Sequence, residues 1–275
     1  MKTVFEIIPE TINTENCSLC CELTLDSFSY AIRNDEENKI VSVGVYQYDK
    51  NKPQSGFAIA LQILFHQHSF LSEKFKKCCL IYSVPRSVLV PFTMYNSQKN
   101  AEVLNLIHGD LAIGETIIKD ILPQHDLYNT YSVPAVLNNT VYQQFPTIRG
   151  MHQYSLFLKK QNSEEDKLSA VFYPEKLVVT LYKEGAYHLL NTYSYRTPED
   201  VAYILLNICR QFNVSDIPIL VGGLIEEDSA LFKKIYNYFT NVSLAVTTDE
   251  YLYEEGITQF PLHFFNHFFE FDLCE

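Results

Sequence analysis

A chain of 275 residues has room for two domains of ordinary size, and its 47% hydrophobic content is too high for a disordered polypeptide. Lys and Arg total 21 against 33 Asp and Glu, a formal charge of −12, which repels phosphate backbones and anionic lipid and so excludes nucleic acid and membrane surfaces as expected partners.

The first predicted elements are three short antiparallel strands, Cys20–Asp26, Phe28–Arg33 and Ile40–Asp49. Helical spacing of Phe57, Leu61, Leu64 and Phe65, and of Ile59 and Ile63, predicts a helix within Gln54–Phe75. The apolar run Cys78–Val84 stops at Pro85 and has the look of a buried strand. A second helix is predicted near Lys99–Ile107, with Ala101, Val103, Leu104 and Ile107 on its apolar face. Leu127–Val133 suits a strand and Ala135–Phe145 a helix that Pro146 ends. A boundary there gives domains 1–146 and 147–275.

The order then repeats. Leu168–Tyr173, Leu177–Lys183 and Tyr187–Tyr195 are strand-like, and Lys183-Glu184-Gly185 is a hairpin turn. Thr197 followed by Pro198, Glu199 and Asp200 marks a helix start, and that helix runs to about Phe212 with Val201, Ile204, Leu205 and Ile208 facing the core. Ile217–Val221 is a buried strand ending at Gly222-Gly223. A helix over Ser229–Thr240 and a strand over Val242–Thr247 complete the second set. The aromatic tail Phe260–Phe271 is either core or a partner site.

Strand, strand, strand, helix, strand, helix, strand is the order of a ribonuclease-H-like unit. Two such units in tandem, each a mixed sheet flanked by helices, resemble the α/β fold of actin-like ATPases. The chain as a whole resembles an uncharacterised bacterial family, a domain of unknown function to which that fold is attributed. Leu25-Asp26-Ser27-Phe28-Ser29, Tyr128-Asn129, Val133-Pro134, Leu220-Val221-Gly222-Gly223 and Phe260-Pro261-Leu262-His263 carry the likeness. The family brings no biochemical activity with it. The fold implies ATP with Mg²⁺ between the halves, held by two hairpin loops and an adenosine loop. Asp26 and Ser27 stand where the first loop should orient a metal-bound water, but its glycine is missing and Phe28 is bulky. The second loop, Phe172-Tyr173-Pro174-Glu175-Lys176, has neither Asp nor Gly, and Pro174 has no N–H to donate. Gly222-Gly223 match the adenosine loop. With one loop intact, one degraded and one absent, the expectation is a protein that is not an enzyme. It would act as a scaffold or regulator through an unidentified protein partner, with no cofactor. The alternative is a nucleotide-binding protein or weak ATPase using Asp26, Ser27, Gly222 and Gly223.

Other constellations are weaker. Cys17-x-x-Cys20-Cys21 and Cys78-Cys79 have the wrong geometry for zinc, because adjacent strand residues point to opposite faces. His263 and His267 lack the glutamate of an HExxH site, and His66 and His68 occupy different helix faces. Met1–Glu10 has no signal-peptide pattern, and no apolar run approaches the ~20 residues of a membrane helix. A cytoplasmic location with free thiols is expected.

Overall fold

The computed structural model describes residues 1–9, 11–159, 165–245, 251–265, 267, 269 and 271. They form two compact units: Met1–Lys160 with Tyr251–Ile257 and Phe268–Glu275, and Gln161–Glu250 with Thr258–His267.

In the first unit β1 (Lys2–Ile7), β2 (Cys17–Leu23), β3 (Ser27–Asn34) and β4 (Lys39–Gln47) lead into α1 (Gln54–Gln67) and β5 (Lys77–Tyr82). The chain continues through β6 (Ser87–Pro91), α2 (Asn100–His108), β7 (Glu115–Leu122), β8 (Leu127–Pro134), α3 (Ala135–Gln144), β9 (Arg149–His152) and α4 (Gln153–Lys159). The main sheet has the order β1-β4-β3-β2-β5-β9. Its first four strands are antiparallel, and β5 and β9 join in parallel. Strand β2 is buried at every position, so its sequence shows no polar alternation.

Registered pairs build the core of this unit. Leu19 faces Ile32, Cys21 faces Tyr30 and Leu23 faces Phe28 across β2 and β3. These side chains meet Phe57, Leu61, Leu64 and Phe65 of α1 and Leu137 and Val141 of α3. Each such side chain contributes about 1.5–3 kcal/mol when fully buried. Ile59 and Ile63 do not join them. At 58% and 53% exposure they lie on the solvent face of α1, because two residues of helix turn a side chain roughly 200° from Phe57 and Leu61.

The segment between β5 and β9 differs from the sequence expectation. β6, β8 and β7 form a separate three-stranded antiparallel sheet, of which only β8 was expected. Helix α2 goes with this insertion and makes contact with β6 and β8. Of its expected apolar face only Leu104 is buried, and Ile107 is 61% exposed. The partner of α1 is α3, not α2. The strand at the sheet edge beside β5 is β9, whose Arg149–His152 pair with Cys79–Tyr82. A boundary at 146/147 would cut that strand from its own sheet.

The second unit contains β10 (Lys167–Phe172), β11 (Lys176–Lys183), β12 (Ala186–Ser194), α5 (Pro198–Gln211), β13 (Ile219–Gly223), α6 (Ala230–Tyr238) and β14 (Val242–Leu244). Its sheet order β12-β11-β10-β13-β14 repeats the β4-β3-β2-β5-β9 series of the first. The β11–β12 turn has Glu184 at φ 53° and Gly185 at φ 79°, the left-handed pair that a two-residue hairpin demands. Thr197 caps α5 in a reciprocal box with Asp200. Residues 246 and 247 of the expected last strand lie outside the described residues. After β14, β15 (Leu252–Tyr253) pairs in parallel with Lys39 and Ile40 of β4, making the first sheet seven-stranded. A short helix α7 (Glu255–Thr258) follows. Among the described residues no helix is long and apolar enough to cross a membrane. In the tail, Phe265, Phe269 and Phe271 are buried and Phe260 is 41% exposed. Residues 266, 268 and 270 fall outside the described set.

Candidate functional site

Asp26 and Ser27 sit in the turn between β2 and β3, in the first unit. The Thr24 N–H donates to Ser27 O at 3.0 Å and closes the turn. The Thr24 hydroxyl oxygen accepts the amides of Asp26 (3.1 Å) and Ser27 (2.8 Å). It also donates to Asp26 Oδ1 at 2.8 Å. The turn is held further by Tyr48 N–H on Asp26 O (2.7 Å) and Gln54 Nε2 on Leu25 O (3.0 Å). A loop that grips phosphate presents its amides outward; here the amides of Asp26 and Ser27 point at a neighbouring side chain. Phe28 does not stand in the loop. It is fully buried and packs edge-on against Phe65 at 5.4 Å, because the even positions of β3 face α1.

The corresponding turn of the second unit, Tyr173–Lys176, is fastened to itself. Tyr173 N–H donates to Lys176 O at 2.8 Å, and Pro174 has no N–H. Tyr195 binds the turn twice, its N–H on Glu175 O (3.0 Å) and its hydroxyl on Tyr173 O (2.7 Å). The Lys176 ammonium lies 5.2 Å from the centre of the Tyr173 ring, a cation–π contact. These two turns do not fit a phosphate cradle.

Gly222 and Gly223 end β13, also in the second unit. Gly223 has φ 79°, and a Cβ there would stand 2.3 Å from Phe172 O. The neighbouring strand therefore enforces glycine at 223 without any ligand. Gly222 is less confined: a Cβ would meet the Ala245 Cβ at 3.3 Å. Past the strand, His263 Nε2 lies 2.7 Å from Ile225 O, and since a carbonyl only accepts, this nitrogen carries the proton. His263 thus ties the tail to the strand end, and His267 meets the Tyr173 ring edge-on at 5.2 Å.

Cys17, Cys20 and Cys21 lie on β2 and Cys78 and Cys79 on β5 of the first sheet, while Cys209 lies on α5. Cys17, Cys20, Cys21 and Cys79 are buried. Burial pushes the Cys17 and Cys78 thiols up to about 11, so both stay protonated at neutral pH and are poor metal ligands. Among the described residues no three His, Cys, Asp or Glu side chains form a metal-holding group.

One buried polar cluster of the first unit leaves no mark in the sequence. Asp120 on β7 is 7% exposed and accepts from His152 N–H (2.8 Å) and the Tyr131 hydroxyl (3.1 Å). Desolvation raises its pKa, and hydrogen bonds from Ser155, His152 and Tyr131 oppose the rise. His152 at the end of β9 is fully buried, and burial lowers its pKa to about 4. Its Nε2–H donates to Val84 O at 2.9 Å and its Nδ1 accepts from Tyr154 N–H at 3.0 Å. Asn129 on β8 joins Ser87 (2.5 Å) to Ser155 (2.9 Å). A neutral imidazole with both nitrogens occupied and no exposure has no proton to exchange with a substrate. The network clips the inserted sheet to the edge strand β9 of the main one. Its members are spread from residue 84 to 155, and only the fold brings them together.

The strand order repeated in both units, with helices packed on each sheet, defines an actin-like ATPase fold. A protein of that fold and unknown function from Bacteroides thetaiotaomicron is similar over 86% of this chain and 94% of its own, at 17% identity and a TM-score of 0.71. The ethanolamine utilization protein EutJ from Carboxydothermus hydrogenoformans matches over 98% and 93%, at 7% identity and a TM-score of 0.54. A chain of the PilM–PilN type IV pilus biogenesis complex matches over 94% and 96%, at 8% identity and 0.52. No curated protein matches the sequence. The chain belongs to the DUF3822 family, described as proteins of unknown function, whose model matches residues 9–242.

Proposed function

We propose that this protein is a non-catalytic member of the actin-like fold, acting as a scaffold or regulator through a protein partner. The turn Tyr173–Lys176 carries the reading. It has no glycine, Pro174 lacks an N–H, and Tyr173 and Tyr195 bind the turn from within the unit. The Thr24-centred turn supports it, since two amides suited to a phosphate are already paired. Exposed apolar side chains on and around the inserted sheet, Met94 (75%), Leu106 (83%), Ile107 (61%) and Ile121 (52%), offer a surface for a protein partner. The PilM–PilN complex gives a protein assembly on a related fold. A charge of −12 keeps nucleic acid and anionic membranes away, and a cytoplasmic location suits the role.

The test is a thermal-shift titration of the full chain with ATP, ADP and GTP, each with Mg²⁺. A site filled at 100 times its dissociation constant adds about 2.7 kcal/mol, or roughly 5–11 °C at about 2–4 °C per kcal/mol. The expected result is no shift at millimolar nucleotide. A shift that Asp26→Ala abolishes would overturn the proposal in favour of a nucleotide-binding protein or weak ATPase.

A further inference from the structure

The edge strand β1 carries a bulge that turns two of its side chains toward α1. Thr3 pairs with Tyr46 and Glu6 with Gly44, and the register shifts between Thr3 and Phe5. Tyr46 and Gly44 are two apart on β4 and share a face, so the extra residue, Val4, brings Thr3 and Glu6 onto that face together. It is the face that packs on α1, since Tyr46 is buried in one cluster with Phe57, Leu61 and Leu64. The Tyr46 hydroxyl donates to Glu6 Oε1. His68, at the C-terminal end of α1, holds Nε2 3.1 Å from the same oxygen and 3.3 Å from the Tyr46 hydroxyl. A carboxylate only accepts, so Nε2 carries the ring proton.

A pocket of about 510 Å³ opens on this cluster, a volume that suits a small ligand. Its helical wall is one stripe of α1, Ala60, Ile63, Leu64 and Gln67, at the spacing that puts residues on a single helix face. Ile63, 53% exposed, therefore borders the pocket, whereas Ile59 stays outside it. Among the wall's described residues Glu6 is the only acid and none is Lys or Arg. Tyr46 and His68 both use Oε1 of that carboxylate, and among the described residues Glu6 Oε2 has no partner. While the imidazole is neutral, no other side chain of the wall cancels the carboxylate's charge, and the chain's total of −12 adds to its pull on a cation.

We propose that this pocket binds a small organic cation, a primary amine or an amidine on a short apolar body. Its charged N–H group donates to Glu6 Oε2, which Tyr46 and His68 hold in place through Oε1. Its body lies along Ile63 and Leu64. The site is independent of the reading given for the two hairpin turns.

The test is isothermal titration of the full chain, at mildly alkaline pH, with benzylamine and with benzyl alcohol, a neutral probe of the same shape. Saturable one-site binding of benzylamine is expected at a Kd of about 1 mM or below, with benzyl alcohol at least about tenfold weaker for want of the charge-assisted bond. Glu6→Gln keeps an oxygen for the Tyr46 hydroxyl and removes the charge, so it should raise the benzylamine Kd by a similar factor. A matched pair of surface variants separates the site from any effect on folding. Ile63→Lys puts a cation into the wall and should raise Kd at least about tenfold. Ile59→Lys, 58% exposed on the same helix but outside the wall, should change it less than about twofold at about 0.15 M salt, which screens exposed charges. No saturable binding of benzylamine, equal binding of the two probes, a Kd unmoved by Glu6→Gln, or equal weakening by the two lysine variants would overturn the proposal.

Discussion

Acidification from pH 7 to pH 5 should destabilise the first unit through one buried side chain. His152 has an ordinary pKa of 6.5 when unfolded and about 4 in the fold, where desolvation disfavours its charged form. The folded pKa is depressed, so the stability from this group is fully present above 6.5 and is lost as the pH falls toward 4. Integrating the proton uptake of the unfolded chain over that range gives a loss of about 2 kcal/mol between pH 7 and pH 5. The corresponding fall in midpoint is roughly 4–8 °C. Asp120 works in the opposite sense: its folded pKa is raised by the same burial, so its contribution grows as the pH falls. The comparison that isolates the imidazole is with His152→Gln, which keeps an N–H for Val84 O and cannot titrate. The assay is urea unfolding of both proteins at pH 7 and pH 5. The native chain should lose about 2 kcal/mol more than the variant over that interval. Equal losses in the two proteins, or an imidazole titrating near 6.5 by NMR, would refute the reasoning.

Two further substitutions test the turns. Gly223→Ala should cost at least about 2 kcal/mol in urea unfolding, since φ 79° and the Phe172 carbonyl both oppose a side chain. Gly222→Ala, whose Cβ meets only a methyl at 3.3 Å and a carbonyl at 3.7 Å, should cost under about 1 kcal/mol, and equal costs would contradict the close approach described. Thr24→Val should cost roughly 1–3 kcal/mol, because the amides of Asp26 and Ser27 lose their shared acceptor; an unchanged urea midpoint would show that the hydroxyl does not hold the turn.

Much of the fold was legible in the sequence where local chemistry and tertiary contact agree. The apolar run before Pro85, the Thr197 cap and the Glu184-Gly185 turn all became the elements their residues suggested. The inserted sheet was not legible, because β6 runs into Pro91 and β7 is half-exposed over its first four residues. Neither shows a clean alternation of apolar and polar residues. Ile59 and Ile63 fitted a helix by spacing, yet spacing alone does not say which of two faces meets the sheet. At the candidate site, the missing glycines and Pro174 could be seen at once. The direction of the Asp26 and Ser27 amides could not, since it depends on the Thr24 rotamer. Gly223 looked like a ligand position because the approach of Phe172 comes from a strand some fifty residues earlier in the chain.

The pairing of Leu252 and Tyr253 with β4 means that the first sheet can be completed only after the second unit's strands have been made. A chain emerging from a ribosome can assemble the second unit's sheet, complete by Leu244, before the first sheet has received its last strand. A nascent chain halted after Ala245 would leave the main-chain groups of Lys39 and Ile40 facing solvent on the side that β15 later closes.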